Sequence, residues 1–268
     1  MIEPSDYCAL ICREPDRLRI VNCHEEVVEV VRNSFAEAGL SAEYYAKSQA
    51  TCAFKISGFP FVRKSISSSE EESIKISRAL ALVVEKLQGL SWSLVTSTDV
   101  AKINTNSCLF FQKIKMETPS SNGRIFTFAP SSNSDILLID VPRDIETQIV
   151  QAVRDTHGVD SHKRRMEDDG SAHITSKISL EGWFNWYSTG GDQAISLRKM
   201  LLEVIQVARK HKYDLISNLN TKGTTDSMLF QHNPNLSVFR QEDLFILSLL
   251  RQDPAPPPNT SSPGLRMW

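Results

Sequence analysis

No cysteine follows Cys108, although the chain runs on to Trp268. The five that occur (Cys8, Cys12, Cys23, Cys52 and Cys108) are an odd number. The start, Met1-Ile2-Glu3-Pro4-Ser5-Asp6, has neither a basic stretch nor an apolar one. Reduced thiols and no secretory signal are therefore expected, and with them a cytoplasmic or nuclear protein. Cys8-x3-Cys12 with Cys23-His24 has a superficial zinc spacing. However, Cys8, Leu10 and Cys12 alternate as one strand face, so the preferred reading is small core residues and no metal. No apolar run reaches the roughly 18–20 residues that a membrane span needs. An excess of one charge is missing as well: 30 Lys and Arg stand against 32 Asp and Glu, a net −2. Such a balance provides no global field to gather nucleic acid or an anionic membrane.

Catalytic spacings are also absent. There is no Gly-x-Ser-x-Gly elbow, no Walker or dinucleotide glycine pattern and no His-x3-His pair, so no cofactor is expected. Cys23 and His24 are neighbours on extended chain and point to opposite sides, which keeps a thiol–imidazole pair from forming.

What the chain does contain is repetition. Ile195, Leu197, Leu201, Leu202, Val204, Ile205 and Ala208 form a helical apolar stripe. The same template stands 121 residues earlier as Ile74, Ile76, Leu80, Ala81, Val83, Val84 and Leu87. Capping patterns precede both, Ser68-x-x-Glu71 and Thr189-x-x-Asp192. Each stripe leads into an aromatic with an apolar pair, Trp92 with Leu94–Val95 and Tyr213 with Leu215–Ile216.

Around these helices the pattern predicts strands over Tyr7–Arg13 and Arg17–Val21, a helix over Glu25–Ala38 stopped by Gly39, and strands over Glu43–Lys47 and Cys52–Ser57. Ser93–Thr98 and Cys108–Lys113 close the first unit. The second unit predicts strands over Arg124–Phe128 and Asp135–Asp140, then a helix over Arg143–His157 stopped by Gly158. Strands over Lys163–Met166 and His173–Leu180 flank an Asp169-Gly170 turn, and Asp214–Asn218 and Ser227–Gln231 close the unit. Lys55-Ile56-Ser57 matches Lys177-Ile178-Ser179, and Asn106–Phe110 matches Asp226–Phe230.

The expected fold is therefore α+β: a tandem duplication of a ββαββαββ unit, a ferredoxin-like core with extra strands and with helices on one sheet face. Residues 1–116 hold the first repeat, 117–252 the second with an added C-terminal hairpin, and 253–268 a disordered Pro-rich tail. That hairpin, Ser237–Leu250, repeats the opening strand pair. A helix over Glu242–Arg251 is its rival.

Several stretches carry chemistry. Trp183, Phe184, Trp186 and Tyr187, followed by Thr189, Gly190 and Gly191, gather rings and a glycine pair before a helix N-terminus. They are the candidate pocket for a small ligand or peptide, set against the alternative that the rings seal the strand-to-helix junction. Arg13, Arg17, Arg19, Arg63 and Lys64 are a possible basic patch. RNA-recognition modules share the ferredoxin-like order, but neither Thr51–Ile56 nor His173–Ile178 carries their stacking aromatics, which argues against nucleic acid. Ser67-Ser68-Ser69 before three glutamates has the composition of an acidic-directed phosphorylation site, with a plain helix start as the alternative.

The duplicated architecture has no duplicated polar set. It points to a non-catalytic interaction or adaptor protein that presents sheet faces or edges to another protein, with no membrane partner. The alternative is a small-molecule or peptide binder, or an enzyme, using the aromatic junction of the second repeat.

Overall fold

A computed structural model describes residues 6–13, 15–48, 50–58, 60–61, 70–98, 105–114, 123–131, 134–166, 173–182, 186, 191–220 and 226–236. The first repeat runs β1 (Tyr7–Arg13), β2 (Arg17–Val21), α1 (Glu25–Glu37), β3 (Ala42–Lys47), β4 (Thr51–Ile56), α2 (Glu70–Gly89), β5 (Trp92–Thr98) and β6 (Thr105–Lys113). The second runs β7 (Ile125–Ser131), β8 (Asp135–Ile139), α3 (Arg143–Thr156), β9 (Val159–Met166), β10 (Ile174–Leu180), α4 (Gly191–Lys210), β11 (Tyr213–Asn220) and β12 (Asp226–His232). Alternating strands and 3.6-period helices thus form where the hydrophobic pattern places them, with ends displaced by a few residues.

Each repeat builds one antiparallel six-stranded sheet. The orders are β3-β4-β2-β1-β6-β5 and, in the same sense, β9-β10-β8-β7-β12-β11. The expected duplication of an α+β unit is therefore present. The extra strands do not sit at the rims of the sheet. β1 and β6 pair with each other in the middle and separate β2 from β5, because each stays beside its hairpin partner. The backbone repeats down to its turns. Non-glycine residues with positive φ come in equivalent pairs, Asn22 (53°) with Asp140 (57°) and Ser91 (65°) with Lys212 (63°).

Two of the sequence matches shift in register. The hairpin pairs Arg13–Arg17 and Ser131–Asp135 are equivalent, and Arg17 faces Lys55 while Asp135 faces Ser179. Lys55 therefore corresponds to Ser179, two residues on from Lys177, a slip that leaves every face unchanged. The other slip is by one residue. Ala9 faces Phe110 where Thr127 faces Leu229, so Phe110 corresponds to Leu229 and Phe111 to Phe230. A one-residue slip exchanges the two faces of a strand. Phe110 consequently leaves the helix-covered side, and Phe111 fills the core position.

The helices of each repeat cover one face of its sheet. Val27, Val31, Phe35, Leu80 and Val83 pack on Leu10, Leu18, Phe54 and Phe111. In the second repeat Ile145, Ile149, Met200 and Val204 pack on Phe126, Phe128, Leu138 and Phe230. Leu201 is only half-buried, a correction to the expected stripe: it lies at the margin, and Met200 and Val204 form the buried centre.

α2 differs from α4 in being buried nearly all round. Its far side lies on the outer face of the second sheet, where Ile74 packs on Ala129, Leu137 and Ile139. Ile125, Leu219 and Leu229 join the first repeat's core. Polar groups fix this seam. Lys177 on β10 reaches Glu70 of α2 at 2.6 Å and Asp135 at 3.0 Å, and the amides of Gln88 and Gln231 pair with each other. Arg78 donates from α2 to Asp140 at 2.9 Å. At the sheet ends the Ser97 hydroxyl donates to the Asn218 carbonyl at 2.7 Å. The layers are therefore sheet, helices, sheet, helices, with α2 serving two sheets.

Candidate functional site

The face of the second sheet that α2 covers has a counterpart in the first that no helix among the described residues covers. On β1, Tyr7, Ala9, Ile11 and Arg13 point away from α1 and α2, since Cys8, Leu10 and Cys12 fill the core. β2 adds Arg17, Arg19 and Val21 to that outer face, β4 adds Thr51, Ala53 and Lys55, and β6 adds Phe110. Cross-strand register sets them in rows. Arg13, Arg17, Lys55 and Glu43 form one, and Ile11, Arg19 and Ala53 form the next. Phe110, Ala9, Val21 and Thr51 form a third. None of the buried clusters among the described residues includes a residue of this face.

Its chemistry is basic with apolar ground between the charges. Arg13, Arg19 and Lys55 are exposed, and no carboxylate among the described residues lies within 4 Å of them. Arg17 is held more tightly: its Nε lies 3.1 Å from Asp16 Oδ1, and its guanidinium sits 3.7 Å above the Tyr45 ring. Ile11, Ala53 and Phe110 are half-buried, and Tyr7 is 51% exposed at the margin. A row of fixed cations over apolar surface can take an extended chain that carries carboxylates.

Three of the five residues of the sequence-level basic patch, Arg13, Arg17 and Arg19, come together here. Arg63 and Lys64 lie outside the described residues. Lys55, Tyr45, Phe110 and Tyr7 were not linked to the patch from sequence. Strand alternation could have added Lys55, whereas Phe110 needed the correct register.

The aromatic junction looks different. Trp186 is 9% exposed and belongs to the second core, as the buried Phe61 belongs to the first at the corresponding junction. Gly191 opens α4 with φ 75° and open space where a side chain would stand. Trp183, Phe184, Tyr187, Thr189 and Gly190 lie outside the described residues. So do the capping residues Ser68 and Thr189, the triple serine, the Asp169-Gly170 turn, the segment 237–250 and the tail.

The cysteines are free thiols. Cys8 and Cys12 face the core of β1, and burial pushes Cys8 up to about 12 and Cys108 up to about 11. Thiols so placed are poor nucleophiles. His24 packs edge-on against Trp92, with ring centroids 4.9 Å apart. No helix among the described residues is long and apolar enough to cross a membrane.

One protein-family model matches the chain over residues 6–112 and again over 124–231. The chain belongs to that family. Its two matches coincide with the two sheets, so each ββαββαββ unit is one copy of the family's domain. No curated protein and no solved structure matches it.

Proposed function

We propose that the protein is a non-catalytic adaptor that holds an acidic, partly apolar segment of another protein across the open face of the first sheet. One observation carries the reading. Arg13, Arg19 and Lys55 stand exposed with no carboxylate partner among the described residues, beside half-buried Ile11, Ala53 and Phe110. A sheet face left over after folding would be expected to be polar throughout. This one mixes cations with apolar side chains, the composition of a recognition surface for a chain of opposite charge. The free, buried thiols support a reducing compartment, cytoplasm or nucleus. A pocket at the aromatic junction has less support, because Trp186 is packed in the core.

Photo-crosslinking from position 53, in the middle of the face, tests the proposal in cells. The expected product is a peptide adduct rich in Asp or Glu that is lost when Arg13 and Arg19 are both changed to Glu. Adducts to nucleotides, or peptide adducts indifferent to the charge reversal, would overturn it.

A further inference from the structure

Where α2 crosses onto the second repeat there is an open cavity of about 350 Å³. Four elements bring basic groups to it: Arg78 from α2, Arg124 ahead of β7, Arg143 at the start of α3 and Arg164 from β9. Its remaining wall is largely apolar, with Leu82, Ile125, Val141 and Ile174.

Two of the guanidiniums are positioned from behind. Arg78, 2% exposed, donates through Nε to Asp140 Oδ2 at 2.9 Å and through Nη2 to Asp140 Oδ1 at 3.3 Å. Asp140 is fixed in turn by the Ile174 N–H and by His173, each 3.2 Å from Oδ1. Arg164 Nη1 lies 3.2 Å from Glu146 Oε2. Glu146 is itself 2% exposed, with His162 Nε2 at 3.0 Å and the Ser176 hydroxyl on its other oxygen.

The first repeat shows that the fold does not require this network. Val28 occupies the place of Glu146, Lys47 that of Arg164, Cys52 that of Ser176 and Asn22 that of Asp140. Burying a carboxylate where valine suffices lowers stability unless something else is gained. What Glu146 gains is a guanidinium held at the cavity wall. Four guanidiniums face two lining carboxylates, Glu85 and Asp140, with Glu146 behind, which leaves one positive charge in excess.

We propose that this cavity is a binding site for a small organic anion, one carboxylate or phosphate group on an apolar body. The arginines would take the charged group with charge-assisted hydrogen bonds, and Leu82, Ile125 and Ile174 the body. The site is separate from the open sheet face and formed by both repeats together.

Phenyl phosphate, benzoate, inorganic phosphate and uncharged benzyl alcohol serve as probes in an NMR titration of the full chain. Phenyl phosphate or benzoate is expected to shift the Ile125 and Ile174 resonances and to bind more tightly than inorganic phosphate; which of the two prevails identifies the acid group. Arg143→Ala and Arg164→Met, both at partly exposed positions, should each weaken binding by ~10-fold or more, and added salt should weaken it further. Glu85→Gln should tighten it. Equal binding of benzyl alcohol, indifference to both arginine substitutions, or no shift at about 10 mM of either anion would overturn the proposal.

Discussion

Val28 and Glu146 stand at the same turn of equivalent helices, one in a dry core and the other as a carboxylate with 2% exposure. A parallel contrast exists on the outer faces. Arg19 and Leu137 occupy one register position, exposed in the first sheet and 1% exposed under α2 in the second. One fold used twice therefore has opposite allocations of charge. The first repeat keeps its interior apolar and its outer face cationic. The second buries charge inside and seals its outer face. Backbone topology constrains the strand order, while the neighbour that each face meets decides which residues it tolerates.

Substitutions that impose one repeat's choice on the other probe this contrast. The largest effect is expected for Val28→Glu, which buries a carboxylate without an arginine or histidine arranged for it. It should cost about 3–5 kcal/mol in urea denaturation, whereas Glu146→Val should stay within about 1 kcal/mol, since Arg164 and His162 can turn to water. Gly123→Ala comes next. A side chain there would meet the His232 carbonyl at 1.9 Å, so the strand that opens the second repeat must shift, at about 1–3 kcal/mol.

The smallest effects concern two carboxylates whose pH dependences have opposite signs. Burial raises Glu26, but hydrogen bonds from Lys113 and Trp92 outweigh it, and the net pKa lies below 4.5. Its contribution is present above the unfolded value and disappears as pH falls through the lowered one. Glu85 lies above 4.5, because burial outweighs the Ile125 N–H and Arg124. Folding there takes up a proton, so stability rises as pH falls from neutral through the raised value. Glu85→Gln should therefore add a few tenths of a kcal/mol at pH 7 and abolish that rise, and Glu26→Gln should lower stability at pH 7 by a similar amount. Thermal midpoints followed from pH 7 down to about pH 3 would separate the two, because Glu85 acts above 4.5 and Glu26 below it.

Much of the fold could be read from residue patterns, because both signals that specify it are local. The stripe Ile195–Ala208 and its copy Ile74–Leu87 carried the helices, and Gly39 and Gly158 marked their partners' ends. What escaped was non-local. Phe110 and Phe111 offer two registers against the single Phe230, and only the pairing of β6 with β1 chooses between them. The double burial of α2 has a faint trace in its sequence, an apolar residue on nearly every side. Nothing local says that the second surface is a sheet of the next repeat. Of the sites, the cations of the open face were visible as Arg13, Arg17 and Arg19, but Lys55 arrives from a distant strand. The arginines of the cavity are 86 positions apart at the extremes, from Arg78 to Arg164, and no spacing could have joined them.

α2 seals the second sheet, whereas no helix among the described residues covers the outer face of the first. Chemical denaturation of Leu137→Arg and Arg19→Leu, the two equivalent positions exchanged, tests this contrast most directly. Leu137→Arg should lose at least about 3 kcal/mol by placing an unpaired charge under α2, and Arg19→Leu should stay within about 0.5 kcal/mol of the parent. If Leu137→Arg is tolerated as well as Arg19→Leu, or if Arg19→Leu is the damaging change, the two faces are not allocated as described.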